Sequence, residues 1–230
     1  MNCQIVHDSI HRRPGWMESF GMDWGGRTVG YGGVAVGGPW ADKPTILEFY
    51  LVPEQRHRAF VFFEAFVAAS GVRHLEIQSS DELAMVMAHT YGRNLESEKI
   101  VFRDGGMTDL SAGGAAIRRV TPEEEIQANL ERQKGGGEWR LERDGMLLGT
   151  GGILFHYNRP YGDLYMEVME PFRRQGYGAF MIQELKRACY ALGAIPGARC
   201  NPSNVASRQT LQRAGFVPFC HMVLARLDGA

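Results

Sequence analysis

The chain is poor in several features that would fix a function class at once. It holds four cysteines, Cys3, Cys189, Cys200 and Cys220, with no CxxC pair and no zinc-like spacing. That pattern leaves them as free thiols in a core and argues against a disulfide framework or a metal centre. Charge of either sign is not in excess: the formal net charge is -1 over 230 residues. Without a concentrated basic face there is no electrostatic footprint for nucleic acid, so none is expected as a partner. No run approaches the roughly 18 apolar residues of a membrane span. The first residues lack a basic stretch leading into an apolar one, so no signal peptide is read. Together these place the protein in the cytoplasm, away from the membrane.

What is present fits a soluble α/β chain. The hydrophobic share of 44% and charged share of 22% are ordinary for a globular protein, and the length allows one large or two small cores. Glycine is abundant, at 29 residues, without a strict period. It gathers where turns and bulges would need a residue lacking Cβ.

The chain resembles itself. Residues 26–36 (GRTVGYGGVAV) parallel residues 145–155 (GMLLGTGGILF), with glycines at the same four places and a tryptophan, Trp24 or Trp139, shortly before each. Each segment reads as strand, tight turn, strand. Residues 51–61 (LVPEQRHRAFV) then overlay residues 168–178 (VMEPFRRQGYG), matching Arg56 with Arg173, Ala59 with Gly176 and Val61 with Gly178. Apolar residues spaced by three and four follow both times: Phe60, Phe63, Phe66 and Val67, then Met181, Leu185, Ala188, Cys189 and Leu192. Gly71 and Gly193 stand where a left-handed cap would stop each helix. Strands are expected at 72–77 and 198–200, and helices at 81–89 and 204–214 behind the N-cap residues Asp81 and Asn204. The pattern β-β-β-α-β-α recurs at a spacing of about 117 residues. A repeat that long points to two duplicated domains, 1–108 and 109–230. A polar, glycine-rich linker is read at 104–114, followed by a strand over 115–120. Thr121-Pro122 with three glutamates then gives a helix start, running through Leu130. A last strand is expected at 219–227.

The segment 168–178 carries the chemistry. A strand leads into Arg173-x-x-Gly176-x-Gly178 and an amphipathic helix. Glycines let a backbone approach a ligand, a helix start offers unpaired N–H groups, and Arg173 and Arg174 add charge. The residues alone leave two readings: an anion site, or a structural turn with surface arginines. The Gly-Lys-Ser/Thr ending of a Walker loop and the Rossmann glycine spacing are both absent.

This motif resembles motif A of the GCN5-related N-acetyltransferase (GNAT) superfamily. Asn204-x-x-Ser207, ending in Gly215-Phe216, resembles the family's later segment in the expected order. The resemblance covers about 115–227, with traces over 24–102. It implies an α/β (α+β) fold: a mixed, mostly antiparallel central sheet flanked by helices, here duplicated. It implies acetyl-CoA or another acyl-CoA as donor, no metal, and a primary amine of unknown identity as acceptor. Backbone groups of Val168 and Met169 would meet the pantetheine arm. The stretch Arg173, Arg174, Gln175, Gly176, Tyr177, Gly178 and Ala179 would hold the pyrophosphate, with Asn204 and Ser207 along the same wall. The family reaction is direct attack of the amine on the thioester, which needs a base. Glu167 is the first choice and Glu170 the alternative. The tyrosine that many members use as acid is replaced by Leu211. His156, Tyr157, Tyr161 and Tyr165 could line an acceptor pocket, and His221 could approach from the last strand.

The first half departs from the motif: Ala59 and Val61 replace the loop glycines and Pro53 removes an N–H. It is expected to be a degenerate copy. The protein is expected to be a monomer with pseudo-dimeric halves or a homodimer. A non-catalytic acyl-CoA sensor and an interaction protein on the same fold are the other classes left open.

Overall fold

A computed structural model describes residues 7–121, 123–124 and 138–227. The elements run as α1 (His7–His11), β1 (Met17–Trp24), β2 (Arg27–Ala35), β3 (Thr45–Leu51), α2 (Ala59–Ser70), β4 (His74–Gln78), α3 (Glu82–Tyr91) and β5 (Gly92–Asp104). They continue as β6 (Ala116–Arg119), β7 (Trp139–Arg143), β8 (Met146–Leu154), β9 (Tyr161–Val168), α4 (Tyr177–Ala191), β10 (Ile195–Cys200), α5 (Val205–Arg213) and β11 (Phe216–Leu227). Two compact units emerge: residues 101–218, and residues 7–100 together with 219–227.

In the first-half unit β1, β2 and β3 pair antiparallel, β3 and β4 pair parallel, and β11 lies antiparallel on β4. The last strand thus completes the sheet of the opening residues: Val223, Ala225 and Leu227 are buried in one core with Ile46, Phe49, Phe63, Leu75 and Met87. In the other unit β6, β7, β8 and β9 pair antiparallel and β9 pairs parallel with β10. In each unit the strand pairing is mixed, mostly antiparallel and flanked by helices.

Of the repeated glycines, only the first of each set, Gly26 and Gly145, forms the hairpin turns. Those lie at Gly25–Gly26 and Asp144–Gly145, where φ is positive at both residues of each pair, as tight hairpins demand. The GxGG runs sit inside β2 and β8. A Cβ on Gly30 would lie 2.3 Å from Tyr50 O, and one on Gly149 would lie 2.7 Å from Glu167 O. Glycine is needed there because the neighbouring strand comes too close.

The expected helix stops and starts appear as read. Gly71 and Gly193 take φ of 65° and 70°. Asp81 accepts from Ala84 N–H and Asn204 from Ser207 N–H, both at 3.0 Å. Thr121 and Glu124 exchange reciprocal bonds of 2.9 and 3.3 Å, a capping box. The helix expected beyond it, to Leu130, lies outside the described residues.

Two stretches differ from expectation. The linker read at 104–114 is packed onto α4. Gln183 accepts from Thr108 Oγ1 and Leu110 N–H, each at 2.7 Å, and donates to Leu110 O. The fully buried Lys186 ammonium pairs with Asp104 at 2.7 Å and donates to Gly106 O and Ala214 O. Residues 92–104, for which no element was expected, form the long strand β5.

Candidate functional site

The site lies within the unit of residues 101–218, where β9 and β10 part. Their ladder has three partners, Tyr161 with Ile195, Gly162 with Pro196 and Asp163 with Gly197. It ends there, while β9 stays paired with β8 through Val168. Met169 N–H donates to Leu148 O at 2.9 Å. In an antiparallel pair the backbone groups alternate between the two edges. The β8 edge therefore takes Met169, Glu167 and Tyr165, and the amides of Leu164, Met166 and Val168 point to the edge that β10 has left. Of the two backbone groups expected to meet pantetheine, Met169 N–H is thus spent on β8 and Val168 N–H faces the open edge.

Past β9 the chain makes a short 3-10 turn over Glu170–Phe172 and enters the loop before α4. Arg174 and Gly176 are left-handed, with φ of 61° and 89°. The first helical bond is Phe180 N–H to Gly176 O at 3.1 Å. Among the described residues the six N–H groups from Arg174 to Ala179 have no acceptor. Left-handed steps turn successive N–H groups to one side, and the helix dipole adds positive potential there.

Each expected loop side chain has a place. Arg173 folds back, its Nε donating to Val168 O at 2.9 Å and its Nη2 lying 3.5 Å from Glu167. It braces the loop against β9, so its charge is shared with the protein. Arg174 is exposed. Gln175 donates to Pro171 O at 3.2 Å. Tyr177 is buried and accepts from Arg143 Nη1 at 2.6 Å, which makes it a packing residue. Gly178 is needed for closeness: a Cβ there would lie 3.1 Å from Met166 Cε and 3.3 Å from Thr210 Cγ2. Ala179 is buried. Asn204 spends its Oδ1 on capping α5, and Ser207 is half-buried in that helix's first turn. Leu211 is buried.

Two residues that sequence reasoning passed over join this group. Arg213, in the last turn of α5, brings both guanidinium nitrogens to 4.0 Å from where a Gly176 Cβ would stand. It has no partner among the described residues, so a free cation sits beside the free N–H groups. The second is Asp163, the last paired residue before the strands part. It is buried, with His156 Nε2 at 3.2 Å and Arg199 Nε at 3.4 Å. No motif flags a carboxylate there; only its burial in the fold does.

The two faces of β9 separate these roles. A Cβ on Gly162 would point at Cys189 on α4, and Met166 packs against Gly178. Strand alternation then turns Gly162, Leu164, Met166 and Val168 to α4 and Tyr161, Asp163, Tyr165 and Glu167 to the other face. Glu167 is 68% exposed at the loop end of that face, and Glu170 is exposed in the turn. His156 is brought to Asp163 and packs edge-on against Tyr157, ring centroids 4.5 Å apart. His221 belongs to the other unit, where its ring bonds Ser97 and its N–H donates to Ser79 Oγ.

The corresponding loop of the first half also braces a strand: Arg56 Nε donates to Leu51 O at 3.4 Å. It differs in its backbone. Pro53–Arg58 is a 3-10 turn running directly into α2, without a left-handed residue.

A parting strand pair, an open strand edge and a left-handed loop into a helix decide the fold. It is the fold of the GNAT acetyltransferases. Residues 109–216 match the acetyltransferase (GNAT) family. A GNAT-family acetyltransferase from Colwellia psychrerythraea superposes with a TM-score of 0.68 at 17% identity, covering 91% of this chain and 85% of that one. A GCN5-related N-acetyltransferase from Sphaerobacter thermophilus gives 0.59 at 15%, covering 89% and 79%. A tandem GNAT protein from the clavulanic acid biosynthesis pathway gives 0.58 at 15%, covering 96% and 86%. No curated protein matches the chain by sequence. Within this GNAT fold, the described residues contain no group of three or more His, Cys, Asp or Glu able to hold a metal. No described helix is long and apolar enough to cross a membrane.

Proposed function

We propose that the chain transfers an acyl group, acetyl in the first instance, from acyl-CoA to a primary amine by direct attack of the amine on the thioester. The observation that carries this reading is the open edge of β9 beyond Asp163 followed, one short bonded turn later, by six free N–H groups at Arg174–Ala179. An extended amide arm can add to a strand edge, and a pyrophosphate suits a helix start with left-handed turns before it. Met166 and Val168 offer the edge to pantetheine. The loop N–H groups, Arg174 and Arg213 take the pyrophosphate, with Ser207 and Asn204 along α5. The thioester then reaches the point where β9 and β10 part, where an edge N–H polarises its carbonyl.

Of the two carboxylates expected as base, Glu167 is better placed than Glu170, because it stands on the face of β9 away from α4. The protein supplies no metal to the reaction in this reading. The buried Leu211, standing where a tyrosine acid is expected, is what favours the second reading, a coenzyme A sensor without turnover.

Duplication belongs to the same proposal. From β1 and from β7 onward the chain runs strand, strand, strand, helix, strand, helix, strand, and each time the strand before the helix is braced by an arginine on its carbonyl. The likeness to a protein described as a tandem GNAT supports it further. The first copy is degenerate: Ala59, Val61 and Pro53 remove the left-handed loop.

Calorimetry with coenzyme A and acetyl-CoA tests the site. Binding is expected, and no heat at millimolar concentration overturns both readings. Thiol release across a panel of amines then separates transferase from sensor.

A further inference from the structure

We infer that His156, held by Asp163, is the group that takes the proton from the acceptor amine. The inference rests on the transferase reading above and names the base within that site.

Asp163 marks the apex of the opening, since its pairing with Gly197 is the last before β9 and β10 separate. Its side chain lies on the face away from α4, shared with Tyr165 and Glu167. A buried carboxylate needs compensation. Arg199 supplies charge from β10 at 3.4 Å, and His156 approaches from the loop between β8 and β9 at 3.2 Å. The Tyr157 ring packs against His156 and has the Arg199 guanidinium 5.7 Å from its centroid. These groups come from β9, β10 and the loop.

A carboxylate accepts, so it favours the tautomer with the proton on Nε2 and leaves the Nδ1 lone pair to receive another. The Nε2 contact is close but out of line for a hydrogen bond, a looseness common before a substrate tightens a site. The imidazole is 23% exposed, enough for an amine to reach it. Glu167 stands four residues further along β9, about 13 Å at strand rise. There it faces Arg173 and the phosphate loop, whereas His156 stands at the apex.

The step balances. The amine nitrogen forms the C–N bond, the C–S bond breaks, and sulfur leaves with its electron pair. The proton lost from nitrogen goes to His156 Nδ1, and from there to the thiolate. One imidazole thus acts as base and then as acid, which removes the need for a tyrosine at Leu211. Asp163 and Arg199 are positioning residues.

The test uses the full chain and begins without an acceptor. The His156 ring signals, assigned by their loss in His156→Gln, are followed by NMR as acetyl-CoA is added. Acetyl-CoA is expected to shift them. Asp163→Asn is expected to lower kcat in thiol release without changing coenzyme A affinity, and Asp163→Glu to restore part of it. In thiol release His156→Gln is expected to lose about 100-fold or more, with coenzyme A affinity unchanged by calorimetry. Ring signals unmoved by acetyl-CoA that calorimetry shows to be bound overturn the proposal. So does wild-type turnover in His156→Gln. Absence of coenzyme A binding in the wild-type chain is the separate result that overturns the transferase reading itself.

Discussion

At the scale of residues, two positions decide whether the loop can hold an anion. Gly176 sits at φ of 89°, and a Cβ there would meet nothing nearer than the Arg213 guanidinium at 4.0 Å. A side chain would fit but would hold a conformation that costs about 1–3 kcal/mol. Gly176→Val should therefore fold with a lowered Tm and bind coenzyme A about tenfold or more weakly, as misaimed N–H groups lose charge-assisted bonds. Unchanged affinity by calorimetry would remove the loop from the site. Arg213→Ala should leave Tm nearly unchanged, since the guanidinium has no partner among the described residues. It should weaken coenzyme A by about 10–100-fold. Its loss should also flatten the salt dependence of binding, which titrations at two ionic strengths would reveal. The glycines were legible as a motif, yet their reasons differ. Gly176 serves the turn, Gly178 serves packing on Met166 and Thr210, and Gly149 serves the approach of β9.

At the scale of elements, α4 is anchored by an ion pair between the buried Lys186 and the half-buried Asp104. Burial pushes the Asp104 carboxyl up, but hydrogen bonds from Lys186, Tyr190 and Gly106 N–H outweigh it and hold the group below its ordinary value of 3.8. A carboxyl lowered in the folded state stabilises fully above its unfolded value, and that contribution is lost as pH falls through the folded one. Acid denaturation of this unit should therefore set in as pH drops below about 4, and Asp104→Asn should flatten that limb. Lys186→Met leaves a carboxylate without its cation and should cost about 3–5 kcal/mol in denaturant titration. A shift under about 1 kcal/mol would mean that the pair is structurally idle. None of this was visible in the sequence. Residues 104–114 look like a linker because glycine and polar residues dominate them, and the lysine that ties them down lies 80 residues away in helical sequence. Strand β5 was hidden for a similar reason: Glu96, Glu98 and Lys99 break the apolar alternation between Leu95, which packs against a core, and the buried Ile100, Val101 and Phe102. Helix ends and caps were legible because their signals are local. Asp163 was not, because an aspartate in a strand means little until the fold buries it.

At the scale of the whole molecule, the sequence repeat and the compact units divide the chain differently. The repeat suggests a boundary near residue 108, whereas residues 219–227 lie with the opening hundred residues. The pairing of β11 with β4 is the reason, with Met222–Arg226 laid against His74–Gln78. Deleting residues 219–230 should strip Val223, Ala225 and Leu227 from the core around Phe49, Phe63 and Leu75. Hydrogen exchange should then accelerate across β3 and β4; unaltered protection there would show that the closing strand is dispensable. The order of elements in each half was readable along the chain. The pairing of the last strand with β4 was not, because partners far apart in sequence leave no local trace.

Calorimetry of the full chain with coenzyme A, comparing wild type with Gly176→Val, tests the acyl-CoA site most directly. Binding by the wild-type chain, weakened at least about tenfold by the substitution, is the result predicted. No binding at millimolar coenzyme A, or equal binding by both chains, would contradict it.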